Sequence, residues 1–200
     1  MRWNAARLSR KGVGAVVVIG ILVVAWWWPG LAGQDRQTDV LLVSSSSLLQ
    51  AQEFIDRRLR EEGFTTEWTP LDRDRCAIEV PRNKSFEVLV LEVNSSPSCD
   101  TELLSSSLSE LRVALPSRSV IAVVNWKGPD VPDWLNQTVR TLNMTLVDPR
   151  ELIGSEGESQ SCFWWDDCPL DGRIVTVKDG SLTDAGMQRL ARSIVTGVLQ

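Results

Sequence analysis

Apolar and polar positions alternate between two rhythms along this chain, and each rhythm predicts a type of element. Asp39 to Val43, DVLLV, has no internal polar residue, as expected of a strand covered on both faces of a parallel sheet. After the serines 44 to 47 the period changes. Leu48, Gln52, Ile55 and Leu59 fall at helical spacing, with Ala51 and Phe54 beside them and Arg57, Arg58, Arg60, Glu61 and Glu62 mostly opposite. Gly63 closes that helix. Further on, Phe64 to Thr69, Cys76 to Val80, Phe86 to Val93, Ser119 to Asn125 and Met144 to Val147 read as strands, and Arg173 to Val177 as a short strand or extended segment. Helices are predicted from Asp100 through Leu103, Leu104, Leu108, Leu111 and Leu115, from Val131 to Leu142, and from Thr183 to Leu199. Strands alternating with helices imply a three-layer α/β/α sandwich around a mostly parallel sheet, over residues 39–200. In such sheets ligands bind outside the carboxyl ends of the strands, where Ser44 to Ser47 stand. A hydroxyl there also serves as a helix cap, and the pattern leaves both uses open.

The start of the chain follows neither rhythm. Residues 1–11 are basic, and residues 12–32 are almost wholly apolar or glycine, ending in Trp26, Trp27 and Trp28 before Pro29. About twenty apolar residues span a bilayer as a helix, so this stretch is expected to be a transmembrane signal-anchor. The basic flank stays inside and the tryptophans lie at the outer interface. A cleaved signal peptide is the alternative, with Gly30-Leu31-Ala32 supplying small residues for a peptidase. Both readings put the domain outside the cytoplasm, beyond a polar linker at 33–38, and make membrane lipid the first partner.

Charge and composition then narrow the chemistry. Arg2, Arg7, Arg10 and Lys11 carry +4 of a net charge of −5, so the rest of the chain holds −9, which argues against a nucleic-acid partner. Histidine is absent from all 200 residues, which removes the commonest general base and the commonest metal ligand together. No metal site and no cofactor is expected. An even count of four cysteines, Cys76, Cys99, Cys162 and Cys168, suits two disulfides in an oxidising compartment. Three pairings are possible; the Cys-x5-Cys spacing favours Cys162 with Cys168, which leaves Cys76 with Cys99.

Two stretches carry a resemblance. VLLVSSSSLLQAQEFIDRRL and DGRIVTVKDGSLTDAGMQRLARSIV resemble the opening and closing blocks of the SGNH/GDSL hydrolase family, in the form associated with bacterial membrane acyltransferases. Between them, EVNSSPSC resembles the strand end where that family places an oxyanion-hole asparagine. The likeness runs from about Asp39 to Leu199 and implies the same three-layer, flavodoxin-like sandwich. It implies that Ser44, Ser45 and Ser46 stand in the Gly-Asp-Ser positions, with Ser46 in the nucleophile's place, Asn94 as oxyanion donor and Asp179 as orienter. The departures fall on the chemistry: the histidine position is Leu182 in one register and Ser181 in the other, where Lys178 takes the aspartate position. No glycine occurs between Gly63 and Gly128 to supply the family's glycine donor. Loss of one triad member commonly leaves only about 10³–10⁴ of the rate enhancement, and here several groups are changed together.

The expectation is therefore a membrane-anchored SGNH-like domain that binds and does not hydrolyse, its partner an envelope glycan, an acylated substrate or a membrane acyltransferase. The alternatives are an active esterase or O-acyltransferase with an unusual Ser46 site, and a structural subunit of an envelope complex. Trp126, at a strand's carboxyl end, is a candidate to line the same cleft as Ser44, Ser45 and Ser46. Trp164 and Trp165, between two cysteines and followed by Asp166 and Asp167, suit a sugar-stacking or partner-binding loop, and equally a small local core beneath that loop.

The basic start and its tryptophan-ended apolar run generate the first test. Full-length protein should sediment with membranes and expose its carboxyl terminus to protease added outside the cell. Recovery of a soluble mature form beginning near Gly33 would show cleavage instead.

Overall fold

The computed structural model describes residues 38–71, 78, 84–93, 100–127 and 131–200, and for Ser46 the backbone alone. The expected signal-anchor, the strand at Cys76 to Val80, Asn94, Cys76 and Cys99 lie outside the described residues or at their margin. Among the described residues, no helix is long and apolar enough to cross a membrane.

Five parallel strands form the centre: β1 (Val40–Ser44), β2 (Thr66–Pro70), β3 (Val88–Val93), β4 (Ser119–Val124) and β5 (Thr145–Val147), in the order β2-β1-β3-β4-β5. The apolar runs form these strands because β1 and β3 are buried along their whole length and β4 from its second residue onward. Period-two alternation then sorts the side chains between two layers. Val40, Leu42, Val88, Val90, Ile121 and Val123 pack with Ile55, Leu59, Leu190 and Ile194. Leu41, Val43, Leu89, Leu91, Val93, Val120 and Ala122 pack on the opposite face with Leu104, Leu108, Leu111, Leu135 and Val139.

The first layer contains α1 (Ser46–Leu49), α2 (Gln52–Glu61) and the last helix, whereas α3 (Thr101–Ala114) and α4 (Asp133–Thr141) cover the second. The helix expected to begin near Leu48 is thus two pieces. Ala51 donates its N–H to the Leu48 carbonyl three residues back, a tight turn that separates α1 from α2. A four-residue helix, α5 (Arg150–Ile153), follows β5.

Arg173 to Val177 does not extend the main sheet. β6 (Ser159–Ser161) pairs antiparallel with β7 (Arg173–Val175), and β8 (Val177–Lys178) with β9 (Ser181–Leu182), giving two small separate ribbons. The last helix, α6 (Asp184–Val198), starts from Thr183, whose hydroxyl accepts the Gly186 N–H at 3.2 Å.

Gly186, the glycine of the Leu-Thr-x-x-Gly motif, has a packing role. A Cβ there would press into the backbone carbonyl of Thr176, which a flexible side chain cannot relieve. Gly186→Ala should therefore lower stability by about 1–3 kcal/mol as overpacking, read from the urea midpoint, despite alanine's better helix propensity. An unchanged or raised midpoint would show that the ribbon and helix separate freely.

Candidate binding site at the carboxyl edge of the sheet

Strand order reverses at β1, which has β2 on one side and β3 on the other, and the crevice at such a reversal is where open α/β sheets bind ligands. Alternation carries the polar residues there to one layer. Ser44 continues the row of Val40 and Leu42, Glu92 the row of Val88 and Val90, and Asn125 the row of Ile121 and Val123. Ser44 and Glu92 are each 1% exposed.

A buried carboxylate needs donors, and Ser45 supplies two. Its backbone N–H donates to Glu92 Oε2 at 2.8 Å and its hydroxyl to Oε1 at 2.7 Å. Ser45 is also the N-cap of α1: its backbone is extended and its Oγ accepts the Ser47 N–H at 3.4 Å. The cap is Ser45, with Ser46 already the first helical residue. Ser45 Oγ and Ser47 Oγ are 3.2 Å apart, and Asn125 Nδ2 donates to Ser47 Oγ at 3.0 Å. Asn125 is itself oriented by the Lys127 N–H, which donates to its Oδ1 at 2.8 Å.

The chemistry of these groups sets the direction of the chain. A carboxylate only accepts, so the Ser45 proton points at Glu92 and Ser47 must be the donor of the Ser45–Ser47 bond. Protons therefore run from Asn125 through Ser47 and Ser45 to Glu92. Ser45 Oγ receives two hydrogen bonds while giving one, which leaves its lone pairs occupied.

Around this network lie two buried groups without partners among the described residues, the Ser44 hydroxyl and the Trp126 indole N–H. Trp126 packs at the edge of the first core layer, with the Lys127 ammonium 4.9 Å from its ring centroid.

The closing block adjoins the serine segment, because the Leu182 N–H donates to Gln50 Oε1 at 3.4 Å. Neither candidate histidine position offers a base. Leu182 is buried in the core, and Ser181 is exposed opposite Lys178. Asp179 sits at the tip of the β8–β9 hairpin with φ 53, followed by Gly180 with φ 69. Two positive φ values make a type I′ turn, so Asp179 is an exposed turn former, and the Gly180 N–H donates to Glu156.

The tryptophan loop forms a second polar and aromatic cluster. Cys162 and Cys168 are disulfide-bonded, with Cα atoms 6.2 Å apart. Inside the loop, Asp166 accepts from Arg189 of α6 at 2.6 Å, both side chains being 2% exposed. Arg189 also donates to the carbonyls of Leu152 and Ser161, each at 2.7 Å, which joins α5, β6 and the loop to α6. Phe163 and Trp165 stack at 4.7 Å, and Arg192 lies 4.0 Å from the Trp165 centroid. One tryptophan thus packs under the loop, its N–H buried without a partner among the described residues, while Trp164 stands out with 87% of its surface exposed.

Ser47 lies in the serine segment singled out from the sequence, but Glu92, Asn125 and Arg189 were not picked out as site or anchoring residues. The signal for Glu92 was present: one acidic residue inside FEVLVLEV, at the same parity as Val88 and Val90.

No family model matches the chain. No curated protein matches it either. Among solved structures, the fold resembles the periplasmic domain of the lipopolysaccharide acetyltransferase of Salmonella ser. Paratyphi A, with a TM-score of 0.53 and 11% identity over 84% of this chain and 85% of that one. This likeness concerns the fold alone, an α/β domain around a mostly parallel sheet. The rubredoxin oxygen:oxidoreductase of Desulfovibrio gigas also matches, at 12% identity, TM-score 0.44, and 82% of this chain against 36% of that one, too remote to carry an argument.

Removing the Glu92 acceptor tests the network. Glu92→Leu strands the Ser45 N–H and hydroxyl, and each buried unsatisfied donor costs about 1–3 kcal/mol. The expected outcome is a urea midpoint shift of that order, together with loss of slow amide exchange at Ser45. A neutral substitution would show that water satisfies both donors.

Proposed function

We propose that this chain is a membrane-anchored, extracytoplasmic binding domain built on an SGNH-type fold that has no hydrolase chemistry. The observation that carries this reading is the state of Ser45, next to the nucleophile's place at Ser46: its hydroxyl is committed to the buried Glu92 and its lone pairs are taken by Ser47. A nucleophile needs a free lone pair aimed at substrate and a base to take its proton. In support, Leu182 and Ser181 stand where the family's base would be, and the chain has no histidine to replace it. The edge around Ser44, Ser45 and Trp126 keeps polar groups at a topological switch point, which suits recognition of a hydroxylated or acylated ligand. An envelope glycan, an acylated substrate or the membrane acyltransferase that handles one fits this setting. The likeness to a periplasmic domain of a lipopolysaccharide acetyltransferase supports the same setting.

One observation favours a second reading, a serine esterase or O-acyltransferase. The 2.7 Å bond from Ser45 to Glu92 is the geometry of a nucleophile and its base. Against it, a carboxylate is a much weaker base than imidazole, and this one is also occupied by the Ser45 N–H.

Full-length protein in detergent, offered a fluorophosphonate probe and a simple acetyl ester, separates the two. Binding without catalysis predicts no label on Ser45 or Ser46 and no turnover above buffer. It also predicts that Ser45→Ala lowers stability by about 0.5–2 kcal/mol as a lost cap. Labelling of either serine, with turnover lost in its alanine variant, would establish the enzyme.

A further inference from the structure

The tryptophan loop is a rigid mount for one exposed aromatic ring. The disulfide closes the loop, the buried Asp166–Arg189 pair fixes it to α6, and the Asp166 N–H donates to the Phe163 carbonyl at 3.0 Å while the Phe163 N–H donates to Asp166 Oδ2 at 2.8 Å. Trp165 lies near perpendicular to Trp164, at 80° and 5.5 Å between centroids. Arg192 lies 5.8 Å from the Trp164 centroid. The indole is held without being covered, so a ligand that meets it orders little on binding.

We infer that Trp164 is a stacking platform for a neutral saccharide, forming a recognition site apart from the serine edge. It rests on the binding reading above and names the ligand class at a second place on the domain. Three features choose this occupant. The patch is small: Trp164, a 37% exposed Phe163 and a fully exposed Leu170 are interrupted by the exposed Asp167 and Asp171. A standard protein partner needs about 800 Å² on each side, far beyond one ring and its neighbours, whereas a sugar ring needs one indole face and a few polar groups. Asp167, Asp171 and Arg192 can supply the acceptors and donors that ring hydroxyls require. The same carboxylates, on a chain carrying −9 outside its basic start, oppose an anionic lipid surface or an acidic glycan.

The test is a titration of full-length protein in neutral detergent, with indole N–H resonances followed by NMR. The probes are neutral tetrasaccharides of glucose, galactose, mannose and N-acetylglucosamine. At least one should move the Trp164 resonance, with a Kd on the order of 1 mM or tighter, about −4 kcal/mol. Trp164→Ala should weaken that binding at least tenfold and Trp164→Phe less, with the Cys162–Cys168 bond intact in both by mass mapping. No response to any of the four at 20-fold above ~1 mM would overturn the inference. So would a response that survives Trp164→Ala, or a Trp164 shift produced by phosphatidylcholine bicelles and by no sugar. Because Ser45 and Ser46 are untouched, serine labelling can succeed or fail independently of this result.

Discussion

Glu92 lies inside the sheet, on a strand whose every residue is buried, and a carboxylate there is tolerable only if donors meet it. Ser45 meets it twice, from the backbone and from the side chain, 47 residues away in sequence. That pair ties the carboxyl end of β1 to the carboxyl end of β3, sets the entry of the chain into α1, and commits the Ser45 hydroxyl. A group that holds the crossover together is poorly placed to leave its hydrogen bonds and attack a substrate. Scaffold and candidate site therefore share one set of bonds here.

A second buried charge, Arg189, plays a matching part in the tryptophan-loop region. Arg189 meets Asp166 and two backbone carbonyls, so its donors reach three segments besides its own helix. Buried ion pairs add little net stability compared with apolar packing, but removing one partner leaves an uncompensated charge. The consequence is positional: the short ribbons and the disulfide loop, which have little core of their own, are fixed to α6 at one point. The exposed Trp164 depends on that fixation, since a ring on a loose loop would lose entropy on every encounter.

The sequence was most legible where interactions are local. Continuous apolar runs marked β1, β3 and β4, and helical spacing marked α2, α3, α4 and α6. Boundaries moved by a residue or two because caps and tight turns, such as Ala51 on Leu48, compete with the period. Of the small ribbons only the Arg173 to Val177 segment was read, because strands of two or three residues have too few positions to show alternation. The Cys162–Cys168 bond was foreseeable from a short spacing in a chain read as extracytoplasmic.

By itself, the sequence determined the α/β alternation, the buried parallel strands and the absence of an imidazole, since period and composition are properties of neighbouring residues. Only the tertiary structure decided that Ser45 caps and binds Glu92, that Asn125 reaches Ser47 across 78 residues, and that Arg189 finds Asp166. Those partners are chosen by strand order and by which face alternation assigns to each side chain. Strand order depends on where each crossover lands in space, which no local spacing records.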